Sequence, residues 1–249
     1  MIIIKSSDEI ELMRESAKVT GGILKDLVSI IKPGISTYDI ESYVESVITG
    51  NGMIPTFKGY NGYPACACVS INDEIVHGIP SKTRILKEGD IVSVDVGSTW
   101  KGYVSDAART YGVGSISPAA RKLIDVTEAC FFEGMKFCRE GYRLSDISHA
   151  IQEKAESEGF SVVKDFVGHG VGRDMHEDPQ IPNFGNPGKG PRIIRGMTFA
   201  IEPMINAGGC DLVVLQDNWT AVTEDGSLSA HYENTIVITD GEPELLTLF

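Results

Sequence analysis

Apolar residues recur at helical spacing from the start of the chain. Ile10, Met13, Ala17, Leu24, Leu27 and Ile31 fall on one stripe, and Pro33-Gly34 ends the pattern. Ser6, three residues before Glu9, marks the N-terminus with a capping-box pattern. A second long helix is predicted from Ser117-Pro118, a cap followed by proline at the first helical position. Its stripe is Leu123, Val126, Cys130 and Phe137, and Gly141 stops it. Each long helix is followed by a shorter one, over 37–49 and 145–157, and then by β-rich segments. In Ile91–Val96 the period drops to two: Ile91, Ser93 and Asp95 share one face, and three valines share the other.

The resemblance between these blocks is a repeat. Residues 31–53 lie on residues 138–160 at a constant offset, with Gly34 on Gly141, Asp39 on Asp146, Val44 on Ile151 and Gly52 on Gly159. The same offset carries Glu88–Gly97 onto Arg195–Met204, so that Asp95 meets Glu202. Chance similarity would not keep one offset across both a helix and a distant strand. The reading is an α+β chain of two halves, roughly 1–112 and 113–249, related by a pseudo-two-fold and sharing a sheet. No linker, low-complexity run or charge block divides them, so one domain over 1–249 is expected.

The stretch VSVDVGSTWKGYVSDAART then poses a problem. It reads as a hairpin with Asp95 in one arm and Asp106 in the other. A turn at Trp100-Lys101 sets the acids directly opposite; the chemically better turn at Lys101-Gly102 makes them diagonal neighbours on one face. Carboxylates about 4.5–8 Å apart repel each other unless they share a proton or hold a cation. The rest of the chain favours the cation. Glu202 (MTFAIEPM) and Glu233 (AHYENTIVIT) are acids in strand-like apolar segments, and His169 lies between glycines in FVGHGVG. Four carboxylates and a neutral imidazole carry four negative charges, which two divalent ions would cancel. A mostly oxygen donor set suits Mn²⁺, Fe²⁺, Co²⁺ or Zn²⁺, and such a pair of ions activates water and polarises a carbonyl or phosphoryl oxygen. A lone strand acid is more often a surface residue, and a lone histidine is as often structural; the set of five decides. GHGVG lacks the endings of a phosphate-binding loop. His77 (VHGIP) and His176 (MHEDP) each precede a proline by three residues and read as another related pair facing the site.

Composition narrows the class without changing it. The chain of 249 residues is 42% hydrophobic and 23% charged, enough for a full core. A net charge of −13 argues against a nucleic-acid partner, which needs a basic face. MIIIKSSDE is too short, and in the wrong order, for a secretory signal. No run approaches the ~18 apolar residues of a membrane span. Five cysteines at irregular spacing, Cys66-Ala-Cys68 among them, suit free thiols in a reducing compartment. A cytoplasmic location is expected.

DVGSTWKGYVSDAART, GHGVGRDMHEDPQIPN, GMTFAIEPM, WTAVTEDGSLSAHYENT and GYNGYPACACVSINDEIVHGIP together resemble the motifs of type I methionine aminopeptidases, in order and over essentially the whole chain. The resemblance implies the pita-bread fold: two halves sharing a curved, mainly antiparallel sheet with helices on its outer face. The start at the first helix suggests the shorter, bacterial-type form. It implies that a hydroxide activated by a dinuclear metal centre removes the N-terminal methionine from new polypeptides whose second residue is small. The ligands implied are Asp95, Asp106, His169, Glu202 and Glu233, with Glu202 also the proton shuttle. His77 and His176 match the family's two catalytic histidines, and both contact substrate. Tyr60, Tyr63, Cys68 and Trp219 match pocket-lining motifs, with Met175 where many relatives carry Phe. His231 and Asn234 flank Glu233 where the commonest pattern has Gln and His, and groups at such positions tune metal affinity. Expected partners are two divalent ions and nascent polypeptide N-termini, with transient contact to the ribosome, for a chain acting as a monomer. The alternatives are a proline-specific peptidase of the same fold, which generally adds an N-terminal domain; a non-catalytic binding module on this fold; and a two-metal phosphatase, which explains the acids but not the apolar pocket motifs.

Overall fold

The computed structural model describes residues 1–248. Helix α1 runs Ser7–Ile30. Ser6 Oγ accepts the Glu9 amide at 3.3 Å while the Glu9 carboxylate accepts the Ser6 amide at 2.8 Å, the expected reciprocal cap. Met13, Ala17, Leu24 and Leu27 are fully buried, whereas Ile10 is only half-buried. Helix α2, Thr37–Gly50, is capped the same way by Ser36 and Asp39. Helix α3, Pro118–Met135, starts at the predicted Ser117 cap but ends earlier than the stripe implied. Its last turn tightens to three-residue hydrogen bonds, Lys136 to Glu133 and Phe137 to Gly134, so Phe137 lies beyond the helix. Helix α4 is Leu144–Ser157.

The two halves are built alike. Ile23, Leu24, Leu27, Ile40, Val44 and Ile48 of α1 and α2 pack on Val92, Val94 and Val96. Leu123, Phe131, Ile147 and Ile151 of α3 and α4 pack on Phe199, Ile201, Ile205 and Ile236. Each fully buried aliphatic side chain contributes ~1.5–3 kcal/mol. Helices thus claim one face of the strands and leave the opposite face, which carries Asp95, to other chemistry.

The hairpin has arms Ile91–Trp100 and Tyr103–Gly112, with Trp100 paired to Tyr103. The turn is therefore Lys101-Gly102, both left-handed at φ 48° and 82°, as a two-residue turn matching strand twist requires. Asp95 pairs with Ala108 and Gly97 with Asp106, so the acids are diagonal neighbours and not directly opposed. In the second half, Thr198–Ile201 pairs with Asn234–Val237 and with Gly168–Gly170. Met204–Asn206 pairs with Ser229–His231. The ladder is broken at Pro203, which has no amide to donate, and at Tyr232–Glu233. Glu202 and Glu233 therefore stand just outside strands rather than within them.

All named strand pairings are antiparallel, and they form four hydrogen-bonded sheets among the described residues. The surface shared by the halves is stitched where Ala108 and Glu233 exchange backbone hydrogen bonds of 3.3 and 2.9 Å.

Candidate metal centre and adjoining pocket

The long hairpin carries Asp95 and Asp106 inward, and the second half grips it from behind. The Asp106 amide donates to Thr235 Oγ1 at 2.8 Å, and that hydroxyl donates to the Asp106 carbonyl at 2.8 Å. His169 reaches the same point from a strand flanked by glycines. A methyl group on Gly168 would lie 2.6 Å from the Ala200 carbonyl oxygen, and one on Gly170 would lie 2.2 Å from that of Asp178. Only glycine lets the neighbouring backbones close in on either side of the imidazole.

His169 Nδ1 lies 2.9 Å from the Gly170 carbonyl, which can only accept, so Nδ1 carries the proton. Nε2 is left with a lone pair, 3.5 Å from Glu202 Oε1 and 4.0 Å from Asp106 Oδ2. Burial, with His176 nearby, pushes this imidazole down to about 3, so it is neutral. Glu202 Oε2 lies 3.5 Å from His231 Nε2, and Glu233 Oε2 lies 3.9 Å from the same nitrogen. The five residues read from the sequence thus converge on one point from separate parts of the chain.

Their electrostatics suit a bound cation. Burial, then repulsion from Asp106 and Glu202, holds the Asp95 carboxyl well above the usual carboxylate range. Burial does the same to Glu202 and Glu233, with Asp106 the next cause for each. Asp106 is pushed up to about 7, mainly by burial. Asp95 Oδ1, Asp106 Oδ1, Glu233 Oε1 and His231 Nε2 are buried without any hydrogen-bond partner. Each such atom costs ~1–3 kcal/mol unless something binds it. Asp106, His169 and Glu233 present ligand atoms close enough to hold one ion, and so do Glu202, His231 and Glu233. The donor set fits divalent cations.

Beside the cage, one cavity of about 200 Å³ is lined by these acids and by an apolar wall. Phe57, Tyr63, Cys68, Met175 and Trp219 form that wall. Tyr63 turns its hydroxyl away to the Gly78 carbonyl at 3.0 Å and offers its ring edge-on to Trp219, with centroids 5.1 Å apart. Gly97 is needed here, because a methyl group on it would lie 2.6 Å from the Phe57 ring. Tyr60 lies at the mouth, its hydroxyl 2.8 Å from His176 Nδ1. His176 also stacks edge-on against His169, with centroids 4.3 Å apart. His77 takes a left-handed backbone at φ 62° and sets its ring against Phe166. A bulky non-glycine residue held there is strained, as residues at functional sites often are. Burial, then His176, pushes its imidazole down to about 4. Every residue predicted for the site lines this cavity.

Three contributors had no place among the predicted site residues. Phe57 walls the pocket, and no periodicity announces it. Arg109 donates to the Glu233 carbonyl at 2.5 Å and to Asn234 Oδ1 at 2.7 Å while lying 4.0 Å above the Tyr232 ring, so it fixes the backbone that presents Glu233. Asn234 therefore serves as a backbone anchor for this stretch. His231 is buried in the cage itself; its position two residues before Glu233, the strand period, was the available signal.

Residues 11–240 match the description "Metallopeptidase family M24". A methionine aminopeptidase of Clostridium acetobutylicum is 53% identical over 248 residues, spanning 100% of this chain and 99% of that protein. The chain belongs to metallopeptidase family M24, among its methionine aminopeptidases. A second relative, methionine aminopeptidase 1 of Bacillus subtilis, is 51% identical over 99% of each chain. The crystal structure of a Thermotoga maritima methionine aminopeptidase superposes with a TM-score of 0.98 at 48% identity, covering 100% of both chains. A prolidase from Pyrococcus furiosus shares the fold at a TM-score of 0.77 and 20% identity, over 99% of this chain and 66% of that one. Among the described residues, no helix is long and apolar enough to cross a membrane.

Proposed function

We propose that this chain removes the N-terminal methionine from new polypeptides whose second residue is small, with two divalent ions held by Asp95, Asp106, His169, Glu202 and Glu233. One observation carries the reading: the carboxylate cage and the apolar pocket open into a single cavity, so a peptide whose first side chain fills the pocket presents its first carbonyl to the cage. Bound divalent ions supply a water deprotonated near neutral pH and polarise that carbonyl.

The chain's own residues do the rest. Glu202, almost closed off from solvent between two imidazoles, takes the water's proton and passes it to the leaving amine. The Tyr60 hydroxyl lies 2.8 Å from His176 Nδ1; when it donates there, the imidazole proton sits on Nε2, where it is available to the carbonyl oxygen as charge develops. His77, neutral and held rigidly by its backbone, contacts the scissile amide. Phe57, Tyr63, Cys68, Met175 and Trp219 make a polarizable surface suited to an unbranched thioether. Because both halves contribute ligands, the working unit is one domain spanning 1–249. It acts in the cytoplasm as a monomer on emerging chains, with transient contact to the ribosome.

Chelator-stripped protein offered Met-Ala-Ser and Ala-Pro peptides, with Mn²⁺, Fe²⁺, Co²⁺ and Zn²⁺ restored separately, tests the reading. Cleavage of Met-Ala-Ser alone, returning with at least one ion, is the expected outcome. Preference for Ala-Pro would move the assignment to the proline-specific relatives, and absence of any cleavage would make the chain a binding module.

A further inference from the structure

We infer that His231 supplies a sixth side chain to the metal centre, its Nε2 binding an ion on the Glu202–Glu233 side as His169 does on the Asp106–Glu202 side. This rests on the dinuclear reading above, and three observations lead to it.

The first is distance. His231 Nε2 lies 3.5 Å from Glu202 Oε2 and 3.9 Å from Glu233 Oε2. These are long for hydrogen bonds. Two donors each ~2.1 Å from a shared ion stand roughly 3.0–3.4 Å apart; the Glu202 distance is close to that range, and the Glu233 distance is wider. His169 Nε2 stands at 3.5 and 4.0 Å from its two carboxylates, so the imidazoles occupy matching positions on either side of Glu202.

The second is satisfaction. His231 is 2% exposed, and its Nε2 has no hydrogen-bond partner. A buried ring nitrogen aimed between two carboxylates and left unbonded is a donor awaiting a ligand.

The third is the repeat. Asp95 lies on Glu202 and Gly97 on Met204 at the shared offset. In the first half Gly97 pairs with Asp106; in the second, Met204 pairs with His231. His231 thus holds the place in the second half that Asp106 holds in the first. Registers on both sides of the break, Met204 with His231 and Ile201 with Asn234, put Glu202 opposite Glu233, as Asp95 is opposite Ala108. Ala108 and Glu233, the corresponding pair, are the two residues that exchange backbone hydrogen bonds between the halves. The pseudo-two-fold therefore relates a carboxylate ligand to an imidazole.

Thr110 fixes this backbone. Its hydroxyl donates to the His231 carbonyl at 2.9 Å and accepts the His231 amide at 2.9 Å. A second imidazole makes the donor set richer in nitrogen and favours zinc or cobalt over manganese more than one histidine would.

The test counts bound imidazoles directly. Full-length protein labelled with ¹⁵N-histidine and loaded with two equivalents of Zn²⁺ is studied by long-range ¹H–¹⁵N NMR. Of the chain's five histidines, two should show zinc-bound Nε2 signals, and one of these should vanish in His231→Gln. Zinc titration of the same variant should show one site weakened by at least the ~10–100-fold that loss of an outer partner costs. One zinc-bound imidazole in unaltered protein holding two ions would overturn the role of His231 and leave the dinuclear reading intact. Unaltered protein that binds no zinc would overturn both. Should His231→Gln fail to fold, the count in unaltered protein decides.

Discussion

In the first half, Asp95 and Asp106 stand on an uninterrupted hairpin with ten residues in each arm, whereas in the second half Glu202 and Glu233 stand where paired strands stop. The hairpin fixes its acids by register: the Lys101-Gly102 turn sets every pairing, and Thr235 clamps Asp106 from behind. In the second half Pro203 ends one ladder, and Arg109, reaching across from the hairpin, holds the stretch bearing Glu233. A side chain at a ladder's end has neighbours on fewer sides, so two imidazoles can approach Glu202 there. Two ligand pairs on a common plan thus divide the labour. On the proposed mechanism the regular half holds charge in place, and the interrupted half carries the group that moves a proton.

That division can be broken most severely at Glu202. Glu202→Gln should lower kcat by roughly 100- to 10,000-fold, the range for removal of a positioned acid–base group, with the thermal unfolding transition retained. Full activity in this variant would refute the shuttle role. In Asp95→Asn the defect should instead lie in metal affinity, weakened beyond the ~10–100-fold typical of outer partners. Raising the metal concentration should restore much of the rate, and titration calorimetry beside turnover at saturating metal separates the two variants. An Asp95→Asn protein with unaltered affinity and lost kcat would erase the distinction between halves. The smallest effect belongs to the turn. Gly102 holds φ 82°, so Gly102→Ala should cost about 1–2 kcal/mol of stability in urea unfolding while turnover per bound metal stays unchanged.

Much of this was legible because periodicity and chemistry agreed locally. Caps at Ser6 and Ser117 and apolar stripes placed the two long helices, since each signal acts within a few residues. The offset between Asp95 and Glu202 exposed the internal symmetry, and turn chemistry selected the register that put Asp95 and Asp106 side by side. The early end of α3 was hidden because Phe137 remains packed on the core, its ring against Tyr142, after leaving the helix. Phe57 was hidden because its place depends on Gly97 in a strand far along the chain. The role of Arg109 was hidden because a buried guanidinium reads as a surface charge until its carbonyl partners are known. His231 was noticed only as a departure from the commonest pattern. Its pairing with Met204, set by a ladder beyond the Pro203 break, is what brings it into the cage.

The proposed convergence of five side chains on a pair of ions is tested directly by anomalous diffraction from crystals grown with excess Mn²⁺. Two manganese peaks should lie among Asp95, Asp106, His169, Glu202 and Glu233. Crystals of active protein showing no peak among these residues would mean that the acids serve some other purpose and that hydrolysis proceeds elsewhere.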